Sequence, residues 1–200
     1  MGYGIGSSGA LTAAAFDRYF KATPNIDLHS LRNVLAQIES YFHGKSSGID
    51  ALAIYLNQGL QINSEDILNV CDIKWEFLKR HFFLVDTLND RKASNLIKIY
   101  NSEIRNSIDL DGLKQKVSMA IQGVLVQDAE QIDAAIKPIS ELQWESFRPM
   151  IPSSVESLWQ TGLSSGNFTL KLLGAGGGGY LLGFSRDLKL LPENEKIIFF

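Results

Sequence analysis

Three glycines alternate with other residues at the start of this chain, two hydroxyls follow, and a helix-forming run begins behind them: Gly2-Tyr3-Gly4-Ile5-Gly6-Ser7-Ser8-Gly9-Ala10-Leu11. No other stretch constrains the backbone as closely. Glycine lets the main chain approach an anion and adopt positive φ. The first N–H groups of the helix behind the loop have no partner inside that helix. A phosphate suits that position electrostatically. Ser7 and Ser8 add hydroxyl oxygens for phosphate or Mg²⁺. The helix, expected over Leu11–Phe20, is small on one side (Ala10, Ala13, Ala14, Ala15) and suited to close packing. No Gly-Lys-Ser/Thr follows the glycines, so this is not a Walker loop. No strand or βαβ unit surrounds it, so it is not a dinucleotide fingerprint. Alone, such a stretch is more often a frayed or tagged end than a nucleotide loop, and later stretches reverse that weighting.

Two hundred residues suit one large domain or two small ones. A net charge of −3 carries no electrostatic footprint for nucleic acid. The one cysteine, Cys71, excludes an internal disulfide framework, fits a reducing compartment, and is expected to pack as a small hydrophobe. No signal peptide and no apolar run of membrane-spanning length stands in the sequence, so a cytoplasmic protein with no membrane partner is expected.

Pro24 and Asn25 break the first helical pattern, and Asp27 is a good N-cap for the next. That helix is expected to run to about Phe42, with Leu28, Leu31, Leu35, Ile38 and Phe42 on one face. Glu39 stands at the border of this face near the helix C-terminus, where the dipole disfavours a carboxylate. It is either a solvated edge glutamate or one compensated by a cation. The loop His43-Gly44-Lys45-Ser46-Ser47-Gly48-Ile49-Asp50 follows. Ser47 or Asp50 suits the cap of a short helix; alternatively, Asp50 is a carboxylate beside a phosphate loop, placed to orient or deprotonate a hydroxyl.

Residues 51–62 suit a short helix or strand ending in a turn, and Phe82–Val85 a buried strand. Asp86–Lys92 is polar and suits an interdomain connection. Helices are expected at about Ala93–Asn106, Asp109–Gln127, Ala129–Glu145 and Ser153–Thr161. In the second, Leu110, Leu113, Val117, Ile121 and Val124 form a stripe of core contacts. Phe168–Leu173 and Tyr180–Phe184 suit strands flanking Gly174-Ala175-Gly176-Gly177-Gly178-Gly179, a turn where a ligand or another backbone comes close. Lys189–Phe200 suits a last strand.

Three stretches now stand in order, GYGIGSSGAL, IESYFHGKSSGID and KLLGAGGGGYLLGF. Together they resemble the GHMP superfamily of small-molecule kinases, and mevalonate kinases most of all. The resemblance covers essentially the whole chain. It implies an α+β fold: an incomplete N-terminal domain like domain 2 of ribosomal protein S5 over 1–90, and a ferredoxin-like C-terminal domain over 91–200. It implies ATP-dependent phosphorylation of a hydroxyl on mevalonate or a similar small alcohol. Carried over by motif, the loop with Gly4, Ile5, Gly6, Ser7, Ser8 and Gly9 would wrap the ATP phosphates. Ser8 and Glu39 would hold Mg²⁺, Asp50 would be the catalytic carboxylate, and Gly176 and Gly177 would line the site near the transferred phosphate.

The sequence departs from the pattern in places. Gly9 stands where alanine is usual, Ser46 where mevalonate kinases often have proline, Leu173 where threonine precedes the glycine run, and Tyr180 where a small residue follows it. Members of the family also carry a first motif and adenine-side strands ahead of the glycine loop, whereas Met1 sits against the loop here. The resemblance therefore implies a fragment or one half of a split protein, a poor kinase by itself. The other expectations are a GHMP kinase acting on a sugar or amino-alcohol, and a non-catalytic remnant or subunit. Oligomeric state has no signature in the sequence.

Overall fold

The computed structural model describes residues 6–20, 26–63, 65–89, 96 and 98–200, with residues 42 and 43 described by their backbone. The chain divides into two compact units between Ile73 and Lys74.

The first unit holds helices α1 (Ser7–Tyr19), α2 (Leu28–His43) and α3 (Ile49–Leu56), then a hairpin of β1 (Gly59–Ile62) and β2 (Leu68–Cys71). The hairpin is antiparallel, with Gly59 opposite Cys71 and Ile62 opposite Leu68. Asp27 caps α2 as its sequence position suggests, its carboxylate accepting from His29 N and Ser30 N at 3.0 Å each. Ser30 Oγ adds a 2.6 Å bond. These bonds favour the ionised carboxylate, so the Asp27 pKa falls below its ordinary value, chiefly through the Ser30 hydroxyl. The three-and-four spacing on α2 buries Leu31 and Leu35 against Phe16, Ala51, Leu52 and Leu68. The buried stripe of α1 is Gly9, Thr12, Ala13 and Phe16. Ala10 and Ala14 are exposed, so closeness on α1 comes from Gly9 rather than from those alanines.

The second unit opens with α4 (Trp75–His81), which leads directly into β3 (Phe82–Asp86). A π-helical turn at Tyr100–Ile104 precedes α5 (Leu110–Val126) and α6 (Ala129–Ser146), capped by the carboxylates of Asp109 and Asp128. After a 3-10 turn at Arg148–Met150 come α7 (Glu156–Ser165), β4 (Thr169–Leu172), β5 (Tyr180–Phe184) and β6 (Ile197–Ile198). The strands form an antiparallel sheet in the order β4-β5-β3-β6. That is the strand order of a ferredoxin-like sheet, with only a 3-10 turn at Leu188–Leu190 between β5 and β6. One face buries Phe83, Val85, Leu170, Leu172 and Leu181 against Trp159 and Val155. The other buries Phe82 and Phe184 against Ile132 and Ile136 of α6. Alternation along each strand assigns the faces.

Five sequence expectations change. The compact units part at residues 73 and 74 rather than at 90 and 91. The reason is β3, a central strand whose partners β5 and β6 lie about a hundred residues later. Of Asp86–Lys92, the expected connection, residues 90–92 lie outside the described residues; Asp86 ends β3, and Thr87 is fully buried, its hydroxyl donating to Gly179 O at 2.8 Å. Residues 51–62 contain both a helix end and a strand, and the hairpin to β2 was not legible. The α5 stripe is incompletely covered, with Ile121 40% exposed. The close approach of α5 to α6 falls instead at Gly123, where a methyl group would sit 2.8 Å from Ile132 Cγ1. The last strand spans only Ile197–Ile198. Among the described residues no helix is long and apolar enough to cross a membrane.

Candidate functional site in the first unit

Helix α1 begins at Ser7, so both serines belong to its first turn rather than to the loop ahead of it. Gly6 is the N-cap, held in the left-handed region at φ 71°, and no side chain caps the helix. Among the described residues, then, no side chain takes up the first N–H groups of α1, the donors that an anion seeks.

Ser8 points across to α2. Its Oγ donates to Glu39 Oε1 at 2.8 Å, joining residues 31 positions apart. Glu39 is 5% exposed, so it is not a solvated edge residue. Its second oxygen accepts from Ser46 Oγ at 2.5 Å, within the range for a hydroxyl on an ionised carboxylate. Among the described residues no lysine or arginine pairs with Glu39. A carboxylate this deep is costly without partners, and here two hydroxyls supply them.

The loop behind α2 is fixed from both sides. Ser46 N donates to Ser40 Oγ at 3.0 Å, and Ser40 Oγ donates to Ala36 O at 2.6 Å. Gly48 N donates to Ser46 Oγ at 3.0 Å. On the other side, Arg32 Nε donates to Ser47 O at 2.9 Å while its Nη1 bonds both Asp66 oxygens at 2.7 and 2.8 Å. A cavity of about 490 Å³ opens there, lined by His29, Arg32, Lys45, Ser47 and Asp66 among others.

Asp50 does not cap α3. Gly48 does, at φ 72°, and Asp50 sits in the first turn with its side chain exposed. A carboxylate is favoured there by the helix dipole. The backbone of Asp50 lies against α1: a methyl group on Gly9 would stand 3.0 Å from Ala51 N and 3.1 Å from Asp50 C and Cβ. The same construction on Gly6 meets Asp50 Cβ at 3.9 Å. Gly6, Ser7, Ser8, Gly9, Glu39 and Asp50 thus lie on adjoining ends of α1, α2 and α3. Gly4 and Ile5 lie outside the described residues.

Gly176 and Gly177 belong to the second unit, in the turn between β4 and β5. Gly177 N donates to Met150 O at 2.7 Å and Gly179 N to Asn89 O at 2.8 Å. A methyl group on Gly176 would meet Met150 O at 2.8 Å and Leu172 Cδ2 at 3.0 Å. The close backbone approach expected at this glycine run is made by the unit's own chain.

Mg²⁺ takes oxygen ligands, keeps several waters, and is held by one or two carboxylates plus substrate phosphates. Ser8 Oγ and Glu39 Oε1, 2.8 Å apart beside a helix N-terminus, fit that chemistry. Among the described residues no three His, Cys, Asp or Glu side chains gather to hold a metal by themselves. Ser40, Ser46 and the Arg32–Asp66 pair were not found as site residues from sequence. The only signal was Ser46 standing in place of proline.

Residues 1–58 match the family model of the GHMP kinases N terminal domain. No curated protein sequence matches the chain. Among solved structures, the chain is similar to Streptococcus pneumoniae phosphomevalonate kinase in complex with phosphomevalonate and AMPPNP, at 16% identity and TM-score 0.65, covering 94% of this chain and 63% of that one. It is similar to L. major mevalonate kinase in complex with R-mevalonate, at 17% identity and TM-score 0.66, covering 92% and 58%. It is also similar to Lactococcus lactis galactokinase complexed with galactose, at 12% identity and TM-score 0.63, covering 93% and 59%. The chain therefore has the α+β fold of these kinases, and it spans about three-fifths of their length.

Proposed function

We propose, from a chain that carries the GHMP kinase N-terminal domain over residues 1–58 and shares the fold of GHMP kinases, that it serves ATP-dependent phosphorylation of a hydroxyl on a small molecule. The observation that carries this reading is the buried Glu39 carboxylate bonded to Ser8 in the first turn of α1, with Asp50 packed against Gly9. Phosphoryl transfer asks for alignment and charge neutralisation more than for covalent chemistry. The Gly6–Gly9 backbone and the free N–H groups of α1 would bind and orient the ATP phosphates. Ser8 and Glu39 would hold Mg²⁺, whose role is to neutralise charge on the phosphate oxygens. Asp50 would orient the acceptor hydroxyl and take its proton as the new oxygen–phosphorus bond forms and ADP leaves. The resemblance to mevalonate kinases makes mevalonate the first acceptor to test, with sugar and amino-alcohol acceptors as the alternatives.

The test is ATP consumption with each acceptor, paired with nucleotide binding. Asp50→Asn keeps size and removes charge, so it should spare ATP binding and lower turnover by about 100-fold or more, the contribution of a positioned base. Full turnover in Asp50→Asn, or ATP binding indifferent to Ser8→Ala and Glu39→Gln, would sink the assignment.

A further inference from the structure

We propose that Ser46 is a positioning residue for Glu39: it holds one carboxylate oxygen so that the other is presented with the Ser8 hydroxyl to a divalent cation. This rests on the reading of Ser8 and Glu39 as a cation-holding pair and adds a residue to which neither the family match nor the similar structures assign a role.

The geometry carries it in three steps. First, the two oxygens of Glu39 are divided between two elements, Oε1 to Ser8 on α1 and Oε2 to Ser46 in the α2–α3 loop. A free carboxylate can rotate, whereas one whose Oε2 is held at 2.5 Å by Ser46 is set with Oε1 toward the Ser8 hydroxyl. Second, the Ser46 hydroxyl is itself oriented. It accepts from Gly48 N at 3.0 Å, so its proton is directed to Glu39. Third, the loop does not depend on Glu39 for its place. Ser46 N is tied to Ser40 Oγ, and Ser47 O is tied to Arg32, which Asp66 locks in turn. The hydroxyl is therefore a fixed point against which the carboxylate is set. Groups that orient a metal ligand from behind typically change metal affinity 10- to 100-fold when removed.

Ser46 also links two parts of the candidate site. Its Oγ joins Glu39 to the backbone at Gly48, the N-cap of α3, two residues before Asp50. Proline, expected at this position from the mevalonate-kinase resemblance, has neither the hydroxyl nor the N–H that Ser46 uses. In this chain, then, a side chain does what a proline cannot.

The experiment uses the full 200-residue chain with Mn²⁺ and ADP, reading free Mn²⁺ by electron paramagnetic resonance, alongside thermal unfolding without metal. Ser46→Ala should weaken Mn²⁺ binding by about tenfold, and Ser46→Thr, which keeps the hydroxyl, should restore most of it. The metal-free unfolding temperature of Ser46→Ala gives the structural contribution separately. Wild-type and Ser46→Ala binding Mn²⁺ equally, while Glu39→Gln loses it, would overturn the role of Ser46 and leave the cation pair standing. Wild-type protein that binds no Mn²⁺ with ADP would overturn both.

Discussion

Two glycine-rich stretches in this chain look alike in sequence and are glycine-rich for different reasons. At Gly6–Gly9, the glycines open a helix whose first N–H groups have no side-chain cap among the described residues, and they bring α1 against the backbone of Asp50. At Gly174–Gly179, five glycines adopt positive φ and the N–H groups of Gly177 and Gly179 are spent on Met150 and Asn89. Among the described residues the first stretch has no side-chain cap on its donors where it meets a buried carboxylate; the second spends the donors of Gly177 and Gly179 within its own unit. Spacing in a sequence reports that the backbone must bend or approach something. Only the partner of each N–H tells whether that something is the chain itself.

The sharpest way to break this contrast is Gly176→Ala. Alanine at φ 69° pays for the left-handed backbone, about 1–2 kcal/mol. Its methyl group would also press on Met150 O, a backbone atom that is already an acceptor from Gly177, an overpacking of about 1–3 kcal/mol. All three tryptophans, Trp75, Trp144 and Trp159, lie in the second unit, so fluorescence follows its unfolding. Denaturation should show a loss of about 3 kcal/mol in that signal. A loss under about 1 kcal/mol would mean that the turn is not held as described and that its glycines answer to something outside the unit.

An intermediate effect is expected at Ser8. Ser8→Ala removes one of two hydroxyls from Glu39 and leaves the stretch's backbone alone. The Mg²⁺ concentration needed for half-maximal nucleotide use should rise by about tenfold, with Glu39→Gln at least as severe. Unchanged Mg²⁺ dependence in both would reduce the Ser8–Glu39 bond to a structural contact between α1 and α2.

What was legible in the sequence was local. The Asp27 cap, the apolar face of α2 and the strands at 82–86 and 180–184 depend on neighbours a few residues away, and spacing shows them. The hairpin at 59–71 was missed because Gly59-Leu60-Gln61-Ile62 is too short to display alternation. The unit boundary was misplaced because β3 looks terminal in sequence while its partners arrive about a hundred residues later. At the candidate site, Ser8, Glu39 and Asp50 were singled out by motif, and the structure brings them to adjoining helix ends. Ser46 and Ser40 were not, because a hydroxyl's partner cannot be read from a serine. Arg32 and Asp66 meet across 34 positions with no periodicity to announce them.

The smallest stability effect should come from Gly9→Ala, and it separates the two stretches most finely. Gly9 lies inside α1, where alanine is favoured over glycine by about 1 kcal/mol. Against that stands a methyl group 3.0 Å from Ala51 N and 3.1 Å from Asp50 C and Cβ, a fit that requires α3 to yield by a few tenths of an ångström. Ala51 and Leu52 anchor α3 in the core while Asp50 faces outward, so the helix can tilt at its first turn more easily than it can leave the core. The two contributions should nearly cancel, leaving unfolding within about 1 kcal/mol of wild type by far-UV circular dichroism. The displaced group is then Asp50 itself. Misplacing a reacting group by about 1 Å can cost 100-fold, so a shift of a few tenths should lower turnover several-fold with nucleotide binding intact. A large loss of stability would show α1 and α3 to be as rigidly interlocked as the Gly176 turn. Unchanged turnover in a stable Gly9→Ala protein would show that the closeness of Gly9 to Asp50 sets packing and not the position of the carboxylate.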